Sequence, residues 1–123
     1  MSEFSETFGA ISDVVRTYVE GMVHGNSAKL QAVFHERACV IGHWDGALGW
    51  ATLADFCDEV CGDAARPGED CYWKINAIST DGDTAVVRVE NDWAGIRFDD
   101  TLTLLLHEGR WFIVSKLYYA RPA

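Results

Sequence analysis

Residues 71–119 read CYWKINAISTDGDTAVVRVENDWAGIRFDDTLTLLLHEGRWFIVSKLYY, and they decide the fold. Apolar and polar side chains alternate along this stretch with a period of two, the pattern of half-buried strands. Turn signals interrupt it at Asp81-Gly82-Asp83, Ala94-Gly95 and Glu108-Gly109. The segment therefore predicts a meander of antiparallel strands at about 71–80, 84–93, 96–106 and 110–119.

Turn length sets the pairing, and pairing decides which side chains share a face. Two-residue turns at Ala94-Gly95 and Glu108-Gly109 place Trp93 opposite Ile96, Asn91 opposite Phe98, Val89 opposite Asp100, Leu106 opposite Trp111, Leu104 opposite Ile113 and Asp100 opposite Leu117. A three-residue loop at 81–83 matches Ile75 to Val89 and Trp73 to Asn91, whereas a two-residue turn mismatches the apolar sets. One face then carries Trp73, Ile75, Ala77, Val87, Val89, Trp93, Ile96, Phe98, Leu102, Leu104, Leu106, Trp111, Ile113 and Leu117. It is the side that helices should cover. Asn91 and Asp100 interrupt it, diagonal to each other among Trp73, Trp93 and Phe98. A carboxylate among rings is costly unless hydrogen-bonded or protonated. Either Asp100 belongs to a site, or it tips into water at a strand end or caps a helix. The opposite face carries Thr101, Thr103, Leu105, Phe112, Val114, Lys116 and Tyr118, with Arg88 and Glu90. Its apolar patch, Leu105, Phe112 and Val114, predicts a homodimer through the outer sheet face.

The first seventy residues follow a different period. Phe8, Ile11, Val14, Val15, Tyr18, Val19 and Met22 recur at helical spacing within residues 3–24. Ser2 or Ser5 can cap this helix and Gly25 can stop it. A short helix from Asn26 or Ser27 turns Leu30, Val33 and Phe34 to one side. Residues 38–42 are a brief β-prone run, and 43–49 (HWDGALG) is turn-rich. Thr52 caps a third helix with Asp55 in the capping-box position and Leu53, Phe56 and Val60 buried, and Pro67-Gly68 breaks it. Helices followed by a strand meander make an α+β domain spanning 1–123.

Composition narrows the function. The chain is 49% hydrophobic and 24% charged, as globular chains are. Nineteen acids against ten bases give a net charge of −9, which argues against nucleic acid and anionic membrane surfaces. No apolar run reaches membrane-span length. The acidic start MSEFSETFGA lacks the pattern of a signal peptide, so the four cysteines are expected to be reduced thiols of a cytoplasmic protein. No metal or cofactor is expected: His35, His43 and Asp45 lack ligand spacing, Cys57-x-x-x-Cys61 has no second pair, and no nucleotide fingerprint occurs.

Two stretches carry a resemblance. Tyr18-Val19-Glu20-Gly21, His24-Gly25-Asn26, Leu30 and Phe34-His35-Glu36-Arg37-Ala38 resemble the Y-x-x-G, G-D, L, F-H-P-D-A opening of the nuclear-transport-factor-2-like superfamily. Asp100-Thr101-Leu102-Thr103-Leu104 and Gly109-Arg110-Trp111-Phe112-Ile113-Val114-Ser115-Lys116 are similar to its D-x-L-x-L and G-x-W-x-I-x-x-K ending. The branch is similar to the lumazine-binding and SnoaL-like, polyketide-cyclase-like group. The resemblance implies a cone-shaped fold of three N-terminal helices packed on a curved antiparallel sheet. It does not settle activity, because the superfamily holds isomerases, dehydratases, cyclases and non-catalytic members. By resemblance to ketosteroid isomerase, the oxyanion tyrosine falls at Tyr18 and the general-base aspartate at Gly42, which has no carboxylate. The hydrogen-bond-donating aspartate falls near Asp100 or Thr101. Steroid isomerisation by that constellation is not expected.

The candidate pocket is lined by Tyr18, Phe34, Trp50, Phe56, Trp73, Asn91, Trp93 and Asp100, with His43 near its mouth. Trp44 can add to the wall. Asp100 or His43 would move a proton on a small carbonyl or polyketide-like compound, while Tyr18 or Asn91 holds the developing oxyanion. Each has a plainer reading: Tyr18 as a packed phenol, His35 as a structural histidine, His43 as a loop histidine in solvent. The alternatives at the level of function are a non-catalytic binder of an aromatic or heterocyclic ligand and a dimerising interaction module.

Overall fold

The computed structural model describes residues 3–62, 66 and 68–123. Helix α1, Glu3–His24, buries Ile11, Val15, Tyr18, Val19 and Met22, while Phe8 stays 44% exposed at the outer end of the same stripe. Ser5 lies inside α1 and so is not its cap; Ser2 falls outside the described residues. Gly25, at φ +64°, turns the chain out of the helix through the left-handed region that glycine enters freely. Helix α2, Ser27–Val33, starts where the Asn26 side chain accepts from the Lys29 N–H.

The chain then departs from the expected order of three helices followed by strands. Strand β1, Phe34–Trp44, and strand β2, Ala47–Thr52, form a hairpin before helix α3, Leu53–Val60. The turn is only Asp45-Gly46, with φ +50° and +78°, the type I′ geometry that matches strand twist. Glycines at 42 and 49 disguise the hairpin as loop in the sequence. They are there for packing: a Cβ at Gly42 would lie 2.6 Å from the Tyr118 ring, and one at Gly49 3.0 Å from its hydroxyl. Helix α3 begins as read, with Thr52 Oγ1 accepting from the Asp55 N–H at 3.2 Å. It ends at Val60, before Pro67, which lies outside the described residues.

Strands β3 (Trp73–Asp81), β4 (Thr84–Trp93), β5 (Ile96–His107) and β6 (Arg110–Ala120) form the expected meander. The sheet has six strands in the order β2-β1-β6-β5-β4-β3, and β1 runs parallel to β6, so it is mixed rather than wholly antiparallel. Helices α1, α2 and α3 lie on one face and close the core.

The β4–β5 register is the predicted one, and the other two hairpins each hide a bulge. At β3–β4, Trp73 pairs with Asn91 and Ile75 with Val89 as read, but Asp81 pairs with Thr84 across a two-residue turn. A bulge between Ile75 and Ala77 absorbs the difference, so Ile78 pairs with Val87 and packs on the core, while Ala77 is exposed. At β5–β6, Leu104 pairs with Ile113, but Thr103 pairs with Ser115. The extra residue, Val114, shifts everything after it by one. Asp100 therefore sits opposite Tyr118 instead of Leu117. Lys116 and Tyr118, expected outside, turn toward the helices, and Leu117 turns to solvent.

Candidate functional site

Beneath the helices the inner sheet face holds a cavity of about 160 Å³. Its walls come from α1 (Met22), β1 (Val40, Trp44), β2 (Gly49, Ala51), α3 (Phe56, Glu59, Val60), β4 (Trp93), β5 (Phe98) and β6 (Lys116, Tyr118). Trp44 and Phe98 stack nearly parallel at 6.0 Å, Trp93 meets both at an angle, and Tyr118 sets its edge to Phe98 at 6.1 Å. Such offset and edge contacts hold flat apolar walls in place.

Lys116 is the unusual member. It is 4% exposed, and its Nζ sits 4.6 Å from the Phe56 ring centre, 5.0 Å from that of Tyr18 and 5.7 Å from that of Tyr118. Its Nζ donates to the Met22 sulfur at 3.5 Å. Among the described residues no carboxylate makes an ion pair with it. Burial holds its pKa below the usual lysine value, against the opposing pull of Asp100 and Glu59.

Behind Lys116 lies the polar cluster that the register predicted. Tyr18 Oη donates to Asp100 Oδ2 at 2.6 Å, and Asn91 Nδ2 donates to the same oxygen at 2.7 Å. Asp100 is 2% exposed. Burial, then the Asp100 charge, pushes the Tyr18 phenol well above its ordinary pKa. Asp100 Oδ1, Asn91 Oδ1 and Trp93 Nε1 are buried without hydrogen-bond partners among the described residues. The cluster reaches the cavity through Lys116 and Met22, because Nζ lies over the Tyr18 ring and Tyr18 Oη lies 3.6 Å from Met22 Sδ.

Of the expected lining residues, Phe56 and Trp93 face the cavity. Tyr18, Asn91 and Asp100 stand one side chain behind it. Phe34 is buried deeper, edge-on to Tyr18 at 5.7 Å and tilted against Phe56. Trp73 is half-buried outside the cavity, with the Arg16 guanidinium 5.8 Å away. Trp50 is 68% exposed, since strand alternation turns Gly49 and Ala51 inward and the residue between them outward. His43 likewise points out of β1 and lines a separate, wider groove with Asp45, Arg97 and Tyr119. His35 accepts from the Arg37 N–H and sits edge-on to Phe112, away from the cavity. Cys39, Cys57, Cys61 and Cys71 are free thiols. Among the described residues no group of three His, Cys, Asp or Glu side chains is placed to hold a metal. Sequence reasoning missed Lys116, Tyr118 and Glu59. The turn signals carry no trace of the bulge that turns the first two inward.

The fold is that of nuclear-transport-factor-2-like proteins. A protein of this class from Silicibacter pomeroyi DSS-3, of unknown function, superposes with a TM-score of 0.92 at 45% identity, over 98% of this chain and all of its own. One from Shewanella baltica OS155, also of unknown function, matches at 27% identity and TM-score 0.89 over the full length of both. The chain belongs to the family described as "Putative lumazine-binding", whose model matches residues 6–119. A relative named Aldolase FrzH, from Cladobotryum sp, is 26% identical over 120 residues, 96% of this chain and 94% of its own length.

Proposed function

We propose that this protein binds a small, flat, largely apolar aldehyde or ketone in the aromatic cavity and moves a proton at the carbon next to the carbonyl. The observation that carries this reading is Lys116, a buried amine with no ion-pair partner among the described residues, in a cavity otherwise walled mainly by rings and aliphatic side chains. A carbonyl oxygen gives that nitrogen a polar partner, and the rings take the apolar body of the guest. Lys116 replaces Asp100 and His43 as the group proposed to activate the carbonyl for proton transfer, since Asp100 stands behind it and His43 faces another groove. Tyr18, Asn91 and Asp100 hold its surroundings, and Glu59 and Tyr118 bring a carboxyl and a hydroxyl to the same cavity. The likeness to a protein named an aldolase supports chemistry at an activated carbon beside a carbonyl.

Acetophenone in D2O tests this reading: the protein should speed exchange of its methyl protons, followed by NMR, and Lys116→Met should abolish the effect. Exchange no faster than in buffer would remove the catalytic reading. The second reading, a non-catalytic binder of a flat heterocycle, is favoured by the stacked Trp44–Phe98 pair. Saturable quenching of tryptophan fluorescence by such a ligand, without turnover, would support it. We further propose that two copies pair through the outer sheet face. Leu105, Phe112 and Val114 are half-buried there, and Leu48, Trp50, Leu117 and Tyr119 are the larger exposed apolar groups on that side.

A further inference from the structure

Resting on that carbonyl-binding reading, we propose that Lys116 is a covalent nucleophile, carrying the guest as an imine on Nζ. Nucleophilic attack needs an uncharged amine, a reachable carbonyl carbon and walls that tolerate the cation formed later. The cavity favours all three. Nζ is held among the rings of Phe56, Tyr18 and Tyr118, and Lys116 is itself part of the cavity wall. Among the described residues no carboxylate makes an ion pair with it. The charged or titratable groups facing it are Asp100 from β5, Glu59 from α3, Tyr18 from α1 and Tyr118 from β6. Burial outweighs the pull of the two carboxylates and lowers the pKa. Lys29 and Lys74, the other two lysines, contrast with it: Lys29 pairs with Glu20, and Lys74 is exposed on β3.

The chemistry balances without a further reagent. The Nζ lone pair forms a bond to the carbonyl carbon, the C=O π electrons move to oxygen, and a proton passes from nitrogen to that oxygen, giving a carbinolamine. The nitrogen lone pair then expels the hydroxyl, which leaves as water after taking a proton from solvent, and an iminium remains. The ring faces at Nζ favour that cation. The iminium draws electrons from the neighbouring C–H bond, so that a base can take the proton and leave an enamine. Glu59, in the cavity wall, is the carboxylate placed for this. Reprotonation on carbon and attack of water on the iminium reverse the sequence and free the amine.

Reductive trapping tests the inference directly. The intact protein is incubated at pH 7 with benzaldehyde and sodium cyanoborohydride, and benzylated lysines are mapped by peptide mass spectrometry. Burial that disfavours the charged form raises the free-amine fraction, so Lys116 should be modified severalfold more than Lys29 and Lys74. Lys116→Arg keeps the cation without a nucleophilic amine and should lose the adduct while retaining the thermal transition. Equal labelling of the three lysines would overturn the inference. So would absence of a Lys116 adduct while benzyl alcohol, an unreactive analogue, still quenches tryptophan fluorescence saturably; the binding reading would then survive alone. No saturable quenching by either compound, with no exchange into acetophenone, would overturn both.

Discussion

An amine buried as Lys116 is costs folding free energy at neutral pH, because the unfolded chain holds its proton more tightly. The folded pKa is depressed, so the cost is greatest below it and is relieved as pH rises toward the unfolded value near 10.4. Lys116→Met is therefore expected to raise stability at pH 7 by roughly 1–3 kcal/mol. That gain should shrink as pH approaches 10, which urea titrations across the range would read. An unchanging difference would mean that the ammonium is not strained. Tyr18 has the opposite sign. Its folded pKa is raised, so its contribution is full below pH ~10 and is lost above that as the unfolded phenol ionises first. Tyr18→Phe removes one of the two donors to Asp100 and should cost about 1–3 kcal/mol in the same titrations. The neighbourhood of Asn91 and Asp100 was legible in the sequence because the Ala94-Gly95 turn sets the register directly. The orientation of Lys116 was not, since it lies beyond a bulge.

At the scale of elements, the bulge in β6 and the β1–β2 hairpin decide what lines the cavity. Glycines 42 and 49 leave the space in which Tyr118 lies flat across β1 and β2. Gly42→Ala should push that ring aside and destabilise the fold by about 1–3 kcal/mol. It should also weaken benzyl alcohol binding, read by fluorescence titration, because Tyr118 is a cavity wall. A variant with parental stability and affinity would show that the ring yields freely. Helical period made α1 readable in advance, and period together with caps did so for α2 and α3. The β1–β2 hairpin was hidden because its glycines resemble a loop, while the reason for them, the Tyr118 ring, comes from the far end of the chain. In β3 the same problem appears in small: a bulge near Asn76 does the work that a longer turn was expected to do.

On the scale of the whole molecule, the outer sheet face divides in two. Over β4 and β5 it is charged, with Arg121 bridging Glu90 and Asp99 at 2.8 Å and Arg97 held by Asp92 and Glu90. Over β2, β1 and β6 it is apolar, and the register puts Trp50, Ile41 and Leu117 in one row. A two-fold axis over that half would lay the row against its own copy. Sedimentation velocity should show a dimer that Trp50→Glu together with Leu117→Glu converts to monomer without loss of the thermal transition. A parent that sediments as a monomer would refute the pairing.

By itself the sequence determined the α+β class, the helix stripes, the β4–β5 register and the meeting of Asn91 with Asp100, because each follows from local period and adjacent turns. Only the tertiary structure decided that Lys116 and Tyr118 face inward and that Trp50 and His43 face away. Those orientations depend on a single inserted residue in β6 and on side chains packing across strands far apart in the chain, and neither leaves a periodic mark.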